Sequence, residues 1–348
     1  MNKFDTLKLK IHGACAKIKQ KFSSRLKSRI NPGTWNFERL NYLEAPFRPG
    51  INQIAEGENK VVVEVSSKVL GPRYPDLIHR GNFREVLEAL SEYLDIGTEA
   101  DILEYSEVCR CHITENVPVT RAVHEYLLPL ACICNPDFKT VPYKDKEVSF
   151  EEVVKMKERR LQTVIYQRNF RNGRDNERLT FYEKEEEMRK NRNDRFYGSL
   201  DNFDQVLDYF KTHLRAEMQL SSFDSIRKAF KIPEPRLGAV LTSPAKPIYE
   251  LLERIRNGSK QSATEYYPPR SSLNRLEKDL GMETLIQNCN FDVGLIKQQL
   301  KRHIKGNPSG QMRRYAQKAE EMKRAMVDIE NGSETGLLGE ILEKLKAA

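Results

Sequence analysis

Polar and apolar residues alternate along Phe4 to His12 (FDTLKLKIH), with Leu7, Leu9 and Ile11 on one side and Thr6, Lys8 and Lys10 on the other. A period of two marks a half-buried strand, because successive side chains leave opposite faces of the pleat. A basic segment and a loop marked by Pro32, Gly33, Pro46, Pro49 and Gly50 follow. Lys60 to Val65 (KVVVEV) predicts a second strand, rich in β-branched residues. Asn82 to Leu94 switches to helical spacing, with Val86, Leu87, Leu90 and Leu94 on one stripe. Alternation returns over Asp101 to Thr114 (DILEYSEVCRCHIT), and Val119 to Cys134 reads as a helix interrupted near Pro129. Strands are predicted at Thr163 to Phe170 and Arg178 to Lys184, joined by RNGRDN, where Asn172 and Gly173 supply the positive φ of a tight hairpin. Next come a charged, solvated helical run (EEEMRKNRNDR), a helix over Phe203 to Phe210 and a strand over Leu214 to Leu220.

Strand, strand, helix, strand, helix, strand pair, helix, strand is the order of an α+β fold with an antiparallel sheet. After Pro235 the texture changes, and helices are predicted at Ala245 to Gly258, Ser272 to Gly281, Asn290 to Gly306 and Gly310 to Ile329. The chain of 348 residues is therefore divided into an antiparallel-sheet domain, 1–237, and an all-α C-terminal region, 238–348.

Composition adds a direction. Lys and Arg number 58 against 50 Asp and Glu, a net charge of +8, which tilts the chain towards a polyanionic partner. The longest apolar run, Tyr126 to Cys134, contains Pro129 and is far too short to span a membrane. With six cysteines and no secretory pattern, the expectation is reduced thiols and a cytoplasmic location without a membrane partner.

Three predicted strands each carry a metal-capable side chain among apolar neighbours: Glu64 in VVVEVSS, His112 in CRCHITEN and Glu217 in LRAEMQL. A carboxylate in an apolar strand is costly to bury unless it is paired or bound to a cation. Together they could hold Mg²⁺ or Mn²⁺; singly, each fits the wet face of a strand. Tyr182 and Lys184 fall on one face of RLTFYEK and make a usable nucleophile pair, since a nearby cation favours phenolate. Tyr166 is the alternative nucleophile. Cys109-x-Cys111 and Cys132-x-Cys134 have a spacing that suits core thiols better than structural zinc. Tyr266 to Arg270 (YYPPR) reads as an extended linker or partner contact. There is no Walker loop, dinucleotide fingerprint or H-E-x-x-H.

Taken in order, five segments resemble the phage and plasmid replication proteins of the gene II/gene X family and the staphylococcal-type rolling-circle plasmid initiators. They are FDTLKLKI, VEVSSKVL with Glu64, Arg110-Cys111-His112, LTFYEKEEE with Tyr182, and Leu214-Arg215-Ala216-Glu217. The resemblance covers roughly residues 1–235. It departs from the family at His112, where aspartate is usual, and at Gln219, where some relatives carry a second acid.

The resemblance implies a rolling-circle replication initiator that nicks and rejoins single-stranded origin DNA. Tyr182 would form a 5′-phosphotyrosine, and Glu64, His112 and Glu217 would hold a divalent ion, Mg²⁺ or Mn²⁺. Lys184 would stabilise charge or protonate the leaving oxygen. Arg110, Arg178 and Arg215 would contact the origin DNA; outside the resemblance, the charge of the basic C-terminal stretches alone, with Lys297, Lys301, Arg302, Arg313 and Arg314, leads us to expect contacts to duplex origin DNA there. A host helicase and polymerase would be partners. The rival readings are a relaxase-like mobilisation protein, whose usual His-hydrophobe-His cluster is absent, a non-catalytic DNA-binding regulator, and a zinc-binding adaptor built on the paired cysteines.

Overall fold

The structure is a computed structural model that describes residues 2–30, 39–131, 133, 138–141, 162–168, 177–262, 289, 293–303 and 336–348. It is a mixed α+β fold around a large antiparallel sheet. In chain order the strands are β1 (Phe4–His12), β2 (Ala16–Ile18), β3 (Leu26–Ile30), β4 (Arg39–Leu43), β5 (Ile51–Gly57), β6 (Lys60–Ser66), β7 (Leu94–Ile96), β8 (Ser106–Pro118), β9 (Phe138–Val141), β10 (Thr163–Arg168), β11 (Arg178–Tyr182) and β12 (His213–Leu220). Ten of them run β3-β4-β5-β6-β1-β8-β12-β11-β10-β9, while β2 and β7 form a separate pair.

β1 lies between β6 and β8. Its apolar side, Phe4, Leu7, Leu9 and Ile11, is fully buried, as the alternation predicts. Phe4 and Leu7 are three positions apart yet share that face, so one residue too many stands between them. The register against β8 shifts there, between Phe4 and Thr6, and Asp5 is the extra residue. Such a bulge turns the inserted side chain towards the face of its neighbour.

The apolar side of the sheet packs on helices Phe83–Leu90, Val123–Ala131, Phe223–Phe230, Leu237–Thr242, Pro247–Ser262 and Leu337–Ala347. Leu237, Leu241, Leu252, Ile255, Ile341 and Leu345 join the same hydrophobic core as β1, β8 and β12. The line drawn at 237/238 from sequence texture thus runs through a shared core, although the described elements beyond it are all helices. A second, aromatic cluster gathers around the 3₁₀ segment Ser67–Asp76 and helices Lys184–Lys190 and Phe203–Lys211. Tyr74, Phe196, Tyr197, Phe203 and Phe210 are its rings.

Some elements differ from expectation for local reasons. Within DILEY the alternation is incidental. Thr98 and Asp101 cap each other's backbone amides, so Glu99–Tyr105 is a helix and β8 starts only at Ser106. β11 ends at Tyr182, and Lys184 opens the next helix, in which Glu185, Glu186 and Glu187 occupy the first turn and Arg189 and Lys190 the last. That arrangement matches the helix dipole. The stretch read as loop between residues 13 and 57 forms β2 to β5. Asn172-Gly173, Tyr266 to Arg270 and the helices predicted at Ser272 to Gly281 and Gly310 to Ile329 lie outside the described residues. Among the described residues no helix is long and apolar enough to cross a membrane.

Candidate metal and nucleophile site

Four neighbouring strands, β1, β8, β12 and β11, each bring one reactive group to the polar side of the sheet. They contribute Asp5, His112, Glu217 and Tyr182 respectively. The registers show why they meet. Thr6, beside Asp5, stands opposite His112; His112 stands opposite Gln219; Glu217 stands opposite Thr180; and Tyr182 stands opposite Arg215. Asp5, His112 and Glu217 offer ligand atoms that all lie within 4.8 Å of one another, the single such group among the described residues.

Hydrogen bonds orient the cluster. His112 Nδ1 lies 3.3 Å from Glu217 Oε1, and its Nε2 lies 3.2 Å from the Arg110 guanidinium. The Arg110 guanidinium thus faces one ring nitrogen and the Glu217 carboxylate the other. Gln219 Nε2 donates to Glu217 Oε1 at 3.1 Å, and the Tyr182 hydroxyl donates to Glu217 Oε2 at 3.4 Å. Asp5 Oδ1 accepts from Ser67 Oγ at 2.7 Å and from Arg215 at 2.6 Å.

Burial alone would push the Asp5 carboxyl up; the charges of Arg215 and Lys184, the Ser67 hydroxyl and His112 outweigh it and hold it at about 2. Burial likewise opposes ionisation of Glu217, while its bond to His112 and the charges of His112 and Arg215 bring it below the usual carboxylate range. Both acids are thus ionised at neutral pH, as metal ligands must be. Burial drives the Tyr182 phenol well above its ordinary value, and Glu217, Glu187 and Asp5 add to that against the opposing charge of Arg215. Tyr182 is therefore a neutral phenol at neutral pH.

Glu64, expected as a ligand, is not in the cluster. It lies on β6 opposite Lys8 and forms an ion pair with it at 3.3 Å, one same-face row away from Asp5 and His112. Asp5 stands in its place. The sequence did contain a signal for this, since the Phe4-to-Leu7 spacing breaks the alternation where Asp5 sits. Lys184 reaches the site from its helix rather than from β11. Its Nζ is held by Glu187 at 2.8 and 2.9 Å and lies 5.8 Å from the Tyr182 ring centroid.

Of the arginines expected at DNA, Arg110 and Arg178 are half-buried on this face, whereas Arg215 has no exposed surface at all and lies against the Phe210 ring. Lys297, Lys301 and Arg302 are exposed on helix Val293–His303; Arg313 and Arg314 lie outside the described residues. Cys111 is a core residue, and burial pushes the Cys109 thiol up to about 11, which opposes the thiolate that zinc requires. Cys132 and Cys134 lie outside the described residues.

Comparison with family models, curated proteins and solved structures returned no match to this chain.

Proposed function

We propose that this chain is a rolling-circle replication initiator, a strand-nicking and rejoining enzyme that uses Tyr182 as its nucleophile on single-stranded origin DNA. The observation that carries the reading is the convergence of Asp5, His112, Glu217 and Tyr182, one from each of four adjacent strands, on one place of one sheet face. The donor set, two ionised carboxylates and an imidazole, suits a hard divalent ion, and the nitrogen tilts the choice towards Mn²⁺ over Mg²⁺. Asp5, His112 and Glu217 would hold the ion, which when bound supplies Lewis-acid stabilisation of charge on the scissile phosphate.

The chain's own groups do the rest. The Tyr182 oxygen attacks phosphorus, the bond from phosphorus to the 3′ oxygen breaks, and the 5′-phosphate remains on the tyrosine. The hydrogen bond to Glu217 Oε2 orients the phenol, whose proton passes to solvent, and the 3′ oxygen takes a proton from solvent. Lys184, fixed between Glu187 and the Tyr182 ring, adds positive charge beside the developing anion. The phosphotyrosine conserves the phosphodiester's energy, so attack by a 3′-hydroxyl rejoins the strand without a nucleotide cofactor. Exposed Lys297, Lys301 and Arg302 would neutralise phosphates of duplex origin DNA.

The test is covalent capture. Single-stranded DNA from the replicon that encodes the chain, incubated with the protein and Mn²⁺, should yield a denaturation-resistant adduct. An adduct of equal yield with Tyr182→Phe would overturn the assignment of the nucleophile, and no adduct with any strand of the replicon would favour a non-catalytic DNA-binding regulator.

A further inference from the structure

We propose that Arg215 and Ser67 are positioning residues that clamp Asp5 by one carboxylate oxygen, Oδ1, so that it presents only Oδ2 to the cation. The inference rests on the metal-assisted reading above. Among the described residues Arg215 is the largest of the fully buried side chains, with 0% exposure. A buried guanidinium is destabilising unless it is paired, and its pairing here is with a single atom. Its terminal nitrogen donates to Asp5 Oδ1 at 2.6 Å, while Nε and the other terminal nitrogen have no hydrogen-bond partner among the described residues. The Phe210 ring lies 5.8 Å from its central carbon, and Tyr182 stands opposite it in the register. Packing, more than hydrogen bonding, therefore fixes where the group points.

Ser67 approaches the same oxygen from the other side. It opens the 3₁₀ segment that follows β6, is fully buried, and donates to Asp5 Oδ1 at 2.7 Å. Arg215 comes from β12, two strands from β1, and only a long side chain can cross β8 to reach Asp5. A carboxylate oxygen has about two lone-pair directions, and these two donors occupy both on Oδ1. Among the described residues Oδ2 accepts only the Thr6 hydroxyl, at 3.3 Å. As a bulge residue Asp5 has no regular ladder position to hold its side chain, so the clamp is what aims it. Asp5 would then hold a bound ion through one oxygen.

The decisive measurement is Mn²⁺ affinity of the full chain, followed by electron paramagnetic resonance, for the wild type, Ser67→Ala and Arg215→Lys, each also combined with Asp5→Asn. Partners that orient metal ligands typically contribute about 10–100-fold in affinity, and a loss in that range is expected for Arg215→Lys, with a smaller loss for Ser67→Ala, which is the milder change to the fold. In the Asp5→Asn background neither substitution should weaken binding further. Cleavage by Arg215→Lys should recover at saturating Mn²⁺, because the defect lies in holding the ion. Unchanged affinity in Arg215→Lys and Ser67→Ala would overturn the clamp, as would an equal loss with Asp5 already replaced. A wild type that binds no Mn²⁺ would instead overturn the metal reading, and the clamp with it.

Discussion

The Tyr182 hydroxyl and Glu217 Oε2 lie 3.4 Å apart across β11 and β12, although the two residues are not direct partners in the ladder. Tyr182 faces Arg215, and Glu217 faces Thr180, so the approach is a diagonal one, two positions along. Diagonal neighbours on one face stand about 7–8 Å apart, a gap that an aromatic side chain spans. Tyr182 thereby touches the acid that also holds His112.

On the proposed reading, replacing Tyr182 by Phe removes the attacking oxygen and little else. Nicking and adduct formation should fall by at least about 10³-fold, as for loss of other covalent nucleophiles, with single-stranded DNA binding nearly unchanged in a gel-shift assay. Tyr166 cannot substitute. It is fully buried, and its hydroxyl donates to the Leu130 carbonyl.

Mn²⁺ should raise the melting temperature of the wild type, since a ligand at about 100 times its Kd adds about 2.7 kcal/mol. His112→Ala and Glu217→Gln should abolish that gain. Glu64→Gln should retain it, because Glu64 belongs to the Lys8 ion pair outside the cluster. His112→Asp should keep activity and move preference towards Mg²⁺, since it exchanges nitrogen for oxygen. Scanning calorimetry with and without metal reads the first three, and cleavage assays in each metal the last.

Asp5 makes stability depend on acid. Its carboxyl drops from an ordinary value of 3.8 to about 2 on folding, so its contribution is complete above the unfolded value and is lost as pH falls through the folded one. Near 1.36 kcal/mol per unit, that is on the order of 2 kcal/mol. Urea unfolding of the wild type and Asp5→Asn should differ fully at pH 6 and converge as pH approaches 2.

The last helix is part of the sheet's core rather than an appendage. Ile341 is fully buried there, and Glu340 accepts from Thr120 and from the Tyr126 hydroxyl, at 2.7 Å in the latter case. Ile341→Ala should cost about 2–5 kcal/mol in denaturant unfolding. Removing residues 337–348 should destabilise the sheet itself.

Helix Val293–His303 offers a separate test of duplex binding. Changing Lys297, Lys301 and Arg302 to Gln should flatten the dependence of log affinity on log salt by about 0.9 for each phosphate that is no longer neutralised. An unchanged slope in fluorescence anisotropy would take these residues out of the DNA interface. The exposed position of all three makes the change tolerable to the fold.

Alternation of polar and apolar residues was enough to place β1, β6, β10, β11 and β12, because the period of two is a local property of a pleated strand. It also put Glu64, His112, Glu217 and Tyr182 on polar faces, and the ladders do align those faces on one side of the sheet. The membership of the cluster was a different matter. Glu64 is excluded because the strand order sets Lys8 beside it, and Asp5 is included because a bulge against β8 turns it to the polar side. Arg215 sits on the polar face of its strand and still has no exposed surface, since Phe210 from the preceding helix covers it. Each of these outcomes depends on register and on what packs above a strand. Both are fixed by pairing between residues distant in the chain, which periodicity within one segment does not encode.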